Sequence, residues 1–311
     1  MPTPSEPAVR GEWAARTDTP KRSVFGNYRA DDSGSSGRES APSNQSRLTS
    51  AAASDPATLQ SAIDLAMARS FIHRFLAKAY EDPLPEAWRW LTNAQTINFL
   101  RAANAFVGQS LLPCAESLIA SLQPAAFNAF LNAYLAAFGH AARGSCPLNE
   151  IEYGDIKADP LFQPHRLADL AAFYRAFGLE VATDAGERQD HICLELEFMC
   201  VLAAKEAYAY EHQLDGDQLA QCRDSQKKFL REHLGRWTPA FARRLAAATN
   251  DPALRALAEF TRAFVESECI RFGVNPGSEE LSLRPVDEAA DRACDSCGIN
   301  NLPPGALRDP A

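Results

Sequence analysis

Apolar side chains recur along most of this chain at the spacing of a helix. In "DPATLQSAIDLAMARSFIHRFLAKAY", Leu59, Ile63, Met67, Phe71 and Phe75 follow at four-residue steps, with Ile72, Leu76 and Tyr80 alongside. Asp55 and Pro56 stand where an N-cap and a first helical residue belong. The pattern repeats in "PAAFNAFLNAYLAAFG", where Phe127, Phe130, Leu131, Tyr134, Leu135 and Phe138 precede a stop at Gly139. It continues from Pro164 to Gly178, with Leu167, Leu170, Tyr174 and Phe177 on one side, and from Asp251-Pro252 to Gly273. Further helices are expected over about 190–210 and 217–234, with a short one after Thr238-Pro239. No stretch alternates apolar and polar with β-branched residues, as a half-buried strand would. The fold class is therefore all-α: a single compact bundle of about eight to ten helices.

The pattern fails at both ends. Residues 1–50 hold nine Ser, five Pro and four Gly with few large apolar side chains, too little apolar surface to offset the entropy of ordering them. The expected organisation is a disordered segment over 1–50, a helical domain over 51–273, and a flexible tail over 274–311. A third interruption is internal. "GHAARGSCPLNEIEYGDIKADPLFQPH", residues 139–165, is a Gly-, Pro- and acid-containing connection of a length that compact domains usually reserve for function.

Charge narrows the partners. The whole chain carries −9, but residues 1–50 carry +1 (seven basic, six acidic), so the remainder carries −10 (24 basic, 34 acidic). A domain this acidic repels a phosphate backbone and suits a basic peptide. No apolar run is long enough to span a membrane. Lys21-Arg22-Ser23-Val24-Phe25 has a twin-arginine look, but Asn27, Arg29, Asp31 and Asp32 follow where an export signal needs an apolar run, which points to the cytoplasm. The eight cysteines form no disulfide framework, and Cys193 and Cys200 lie in oily helical sequence.

The richest chemistry lies in "ERQDHICLELEFM", residues 187–199. His191 and Glu195 stand at i and i+4 on one helix face, with Asp190 adjacent and Glu150, Glu152, Asp155 and His165 upstream. A metal-dependent hydrolase built on His191, Glu195 and the 150–165 acids is one reading, although no H-E-x-x-H is present. A redox or zinc module on Cys294 and Cys297, a single C-x-x-C in the tail, is another. There is no G-x-S-x-G and no phosphate-cradling glycine loop. As structure, Asp190 suits an N-cap, and Ile192, Leu196, Met199 and Ala203 form an apolar stripe behind it.

The residues also carry a resemblance. "DLAAFYRAFGLEVATDAGERQDHICLELEFMCVLAAKEAYA" resembles the TorD/DmsD/NarJ family of redox-enzyme maturation chaperones. Phe173, Tyr174, Phe177 and Gly178 match its helix end. Glu187, Asp190 and His191 match its E-P-x-D-H turn, and Glu195, Leu196, Phe198 and Met199 the helix that follows. Cys146, Pro147, Glu150, Glu152 and Tyr153 match an upstream C-P-x-x-E-x-E-Y segment. The likeness covers roughly 56–273 and is dense over 146–206, and Arg188 stands where the turn has proline. It implies an all-helical fold without catalysis. The protein would bind the twin-arginine leader and body of a molybdopterin-containing oxidoreductase subunit, in the cytoplasm, until the cofactor is inserted. The molybdenum cofactor would belong to that client. Client-binding residues would be Glu150, Glu152, Tyr153, Tyr174, Glu187, Asp190, His191 and Glu195.

Overall fold

The computed structural model describes residues 55–139, 144–154, 162–182 and 186–284. Among them are ten α-helices: α1 (Pro56–Tyr80), α2 (Pro85–Leu91), α3 (Ala94–Val107), α4 (Leu112–Ser121), α5 (Phe127–Phe138), α6 (Phe162–Ala176), α7 (Ile192–Glu211), α8 (Gly216–Glu232), α9 (Leu234–Ala248) and α10 (Pro252–Arg271). Three single 3-10 turns accompany them, and the described residues contain no strand, only isolated bridges. The all-α expectation holds. The 1–50 segment, Cys294 and Cys297 lie outside the described residues.

The bundle is built around α7. Ile192, Cys193, Leu194, Leu196, Phe198, Met199, Leu202 and Ala203 are all buried, so apolar side chains clothe this helix on every side, beyond the single stripe expected of it. Its longest partner is α1, while α9 lies along α10. On α1 the expected stripe is displaced. Leu59, Ile63, Met67 and Phe71 are only half-buried, and the inward face is Ala68, Ile72, Phe75, Leu76, Ala79 and Tyr80, interleaved with Arg69 and His73.

Those two polar residues belong to a buried cross-link of four helices. Arg69 donates to Glu268 of α10 at 2.7–2.9 Å, to Glu206 of α7 at 2.7 Å and to Gln226 of α8. Burial opposes ionisation of Glu268, but the Arg69 guanidinium outweighs it and holds the carboxyl well below its ordinary range. Such a network adds little net stability over an apolar core, yet losing one member strands a buried charge at a cost of about 3–5 kcal/mol.

One expectation is corrected here. The short helix placed after Thr238-Pro239 is part of α9, which begins at Leu234 and contains Pro239. The proline leaves the carbonyl of Gly235 without its intrahelical donor, and the N–H of Gly277 fills that place at 2.9 Å. The described residues continue past the 274 boundary to residue 284. Residues 274–284 lie as a strap across α9, and an added Cβ on Gly277 would sit 1.8 Å from the Arg236 carbonyl oxygen. The tail from 285 onward lies outside the described residues.

Candidate functional site

Residues 144–154 meet the N-terminus of α7 at a junction closed by backbone pairing. The Glu150 N–H donates to the Asp190 carbonyl at 2.9 Å, the Ile192 N–H to the Leu148 carbonyl at 2.9 Å, and Asn149 and His191 form an antiparallel bridge. Asp190 is fully buried. Its carboxylate accepts from the Ile151 N–H at 3.1 Å and from Asn149 Nδ2 at 3.2 Å. The Arg188 guanidinium lies against the same carboxylate, with Nε at 2.5 Å and Nη2 at 3.0 Å. Asp190 is therefore not the cap of α7, as the sequence suggested. That position belongs to His191, whose Nδ1 accepts from the Cys193 N–H at 3.3 Å. A neutral imidazole is needed for this, and burial supplies it by pushing the His191 pKa down to about 4. Arg188, standing where the resembled turn has proline, fixes the turn by its fork on Asp190.

Beneath the junction, Glu150 projects from its 3-10 turn, Glu150–Glu152, into a ring of bases. His233 Nδ1 lies 2.8 Å from one carboxylate oxygen, while Arg166 at 2.5 Å and Arg236 at 3.2 Å meet the other. The second His233 nitrogen faces Asp169 at 3.1 Å. Burial would raise the Glu150 pKa, but His233 and the two arginines prevail and keep it below the ordinary value. Glu195 behaves oppositely. It is fully buried, burial and then the Glu150 charge drive its pKa well above the ordinary value, and it accepts from Trp237 Nε1 at 3.1 Å as a neutral acid. Glu150 and Glu195 are thus shifted in opposite directions, each by its own neighbours.

The aromatic residues seal these layers. Tyr174 donates to the Gln189 carbonyl at 2.8 Å and packs on Phe198, so α6 grips the turn before α7. Tyr153 donates to the Pro147 carbonyl at 2.8 Å and lies against Trp237 with ring centroids 5.1 Å apart. Cys146 sits below, its thiol pushed up to about 12 by burial and so unreactive. Glu152 is nearly buried between Arg188 and Arg284, each at 3.6 Å. Glu187 is half-buried at the rim, with no hydrogen bond or ion pair among the described residues.

All eight residues named from the sequence thus belong to one junction or its rim, but most face inward. His191 and Glu195, paired in the metal reading, are used separately, one as a cap and one on Trp237. Among the described residues no group of three His, Cys, Asp or Glu converges as a metal site, and no helix is long and apolar enough to cross a membrane. The sequence reading missed Arg166, Asp169, His233, Arg236 and Trp237. Their signal was present in the spacing: Arg166 and Asp169 stand three apart, and His233, Arg236 and Trp237 stand at i, i+3 and i+4, one helix face carrying two bases and an indole.

Comparison with known proteins places matches over the same part of the chain. Residues 100–243 match the family model of the nitrate reductase delta subunit. The chain is 34% identical over 112 residues to the selenate reductase assembly chaperone protein of Thauera selenatis, covering 34% of this chain and 56% of that one. It is 30% identical over 115 residues to the perchlorate reductase assembly chaperone protein of Dechloromonas aromatica, covering 37% and 50%. In these two alignments the chain spans about half the length of its relative. A longer match, 29% identical over 257 residues, joins it to the dimethyl sulfide dehydrogenase assembly chaperone protein of Rhodovulum sulfidophilum, over 79% of this chain and 96% of that one. In these matches the chain resembles assembly chaperones of the TorD/DmsD/NarJ type.

Proposed function

We propose that the protein is an assembly chaperone for the catalytic subunit of a molybdopterin-containing oxidoreductase. It acts in the cytoplasm without catalysis of its own, binding the twin-arginine leader and part of the body of its client and delaying export until the cofactor is in place. The observation that carries the reading is the match along 96% of an assembly chaperone's length. The acidic balance of residues 51–311 supports it, because a leader joins a basic segment to an apolar one. So does the use of the junction's charges: Glu150, Asp190, His191 and Glu195 are buried and held by fixed partners, which suits a rigid platform better than general acid–base work.

In this reading the eight residues serve the client surface in two ways. Glu150, Asp190 and His191 hold the 146–154 turn at the start of α7, Tyr153 and Glu195 meet Trp237 of α9, and Tyr174 ties α6 to the turn before α7. Glu152 and Glu187 supply acid at its rim. The test is co-expression with the catalytic subunit of a molybdenum reductase or dehydrogenase encoded beside this chain. The client purified with the chaperone should contain molybdenum cofactor, and the client made without it should be largely cofactor-free. Equal molybdenum content in both would overturn the proposal.

A further inference from the structure

The strap ends in a short piece of extended chain laid on the Glu150–Glu152 turn. Gly154 N–H donates to the Ser282 carbonyl at 2.8 Å, Arg284 N–H donates to the Glu152 carbonyl at 2.8 Å, and Tyr153 and Leu283 form an antiparallel bridge between them. Leu281 and Leu283 pack against the core, Ser282 between them faces solvent, and the Arg284 guanidinium reaches Glu152 at 3.6 Å. In an otherwise helical molecule this edge offers a backbone donor, a backbone acceptor, apolar contact and a carboxylate. The segment that fills them reads Leu-Ser-Leu-Arg. A two-bond pairing of this kind is weak by itself; the strap is also tied by the Gly277 crossing, the two leucines, the Arg244 guanidinium on the Leu281 carbonyl at 3.3 Å, and surface ion pairs of Glu279 with Arg262 and Glu280 with Arg243.

We propose that the 152–154 edge is the docking site for an extended, arginine-bearing apolar segment of the client leader, and that residues 281–284 occupy it in cis until the leader displaces them. The inference rests on the leader-binding reading above and adds its mode, strand addition to an exposed backbone edge. The leader takes the Gly154 N–H and the Glu152 carbonyl, its apolar side chains replace Leu281 and Leu283, and its arginine replaces Arg284 on Glu152. Displacement makes the apparent affinity lower than the intrinsic one by the fraction of molecules with the edge open.

Amide hydrogen exchange on the full chain tests this, with and without a peptide carrying paired arginines followed by an apolar run. At saturation the Arg284 N–H should lose its protection while the Gly154 N–H keeps it. A peptide that binds while Arg284 stays protected overturns the inference and leaves the leader-binding reading intact. A peptide that does not bind at all removes both. A second arm uses Leu283→Asp combined with Arg284→Glu, which loosens the strap at the surface. If the strap is docked about nine-tenths of the time, the variant should bind the peptide about tenfold more tightly. Unchanged or weaker binding by a variant with parental helicity contradicts cis occupancy.

Discussion

The N–H of Gly277 occupies the carbonyl of Gly235 that Pro239 leaves open, at 2.9 Å. One proline inside α9 thus creates an acceptor, and one glycine outside it provides the donor. Only glycine fits at 277, because a Cβ would sit 1.8 Å from the Arg236 carbonyl oxygen.

Gly277→Ala should therefore force the strap away from α9. Overpacking of this kind costs about 1–3 kcal/mol. The melting temperature should fall and proteolysis within 274–284 should rise. Parental stability with unchanged proteolysis would show that the strap yields freely at this crossing.

The strap marks a limit of sequence reading. Helical periodicity ends at Gly273, and nothing in the period of the following residues signals that they return to α9. Pro239 was read as a helix boundary because its cost inside a helix is judged locally, whereas the compensating N–H lies 38 positions away in sequence. On α1 the pattern gave the correct helix, and its Ile72, Phe75, Leu76 and Tyr80 reach the core, whereas Leu59, Ile63, Met67 and Phe71 are only half-buried. Hydropathy cannot show that Arg69 and His73 point inward, since their partners Glu206, Gln226 and Glu268 sit on three other helices. At the junction the motif picked out residues that the fold brings together, while local capping rules assigned Asp190 a role that His191 holds. Asp190 is committed instead to Ile151 and Asn149, a contact across 39 and 41 positions.

That contact changes the expected outcome at Asp190. A cap would tolerate Asp190→Asn. A buried carboxylate that accepts from Ile151, Asn149 and Arg188 does not, because the amide turns a donor toward donors. Asp190→Asn should destabilise the protein by about 1–3 kcal/mol in chemical denaturation. Asp190→Ala, which leaves all three donors unmet, should cost at least as much. A neutral Asp190→Asn would restore the capping role.

His191 gives the fold a dependence on acid. Its pKa is about 4 in the folded chain against 6.5 for the free side chain. The unfolded chain therefore binds the extra proton between these values. Stability from this residue is complete above pH 6.5 and is lost as pH falls toward 4, by at most about 3 kcal/mol. His191→Asn keeps a capping side chain without a titrating ring. The stability difference between parent and variant should shrink or reverse in favour of the variant as pH falls from 6.5 to 4. A difference that stays constant over that range would contradict the buried, neutral imidazole.

Recognition of a basic, apolar leader by an acidic helical domain is the central claim. Titration calorimetry of the full chain with the leader peptide of its client, at low and at high salt, tests it most directly. Saturable binding is expected at low salt. Affinity should weaken as salt rises while a residual apolar part persists, since screening acts on the exposed charges and leaves the apolar contacts. Absence of binding at both ionic strengths would contradict the central claim.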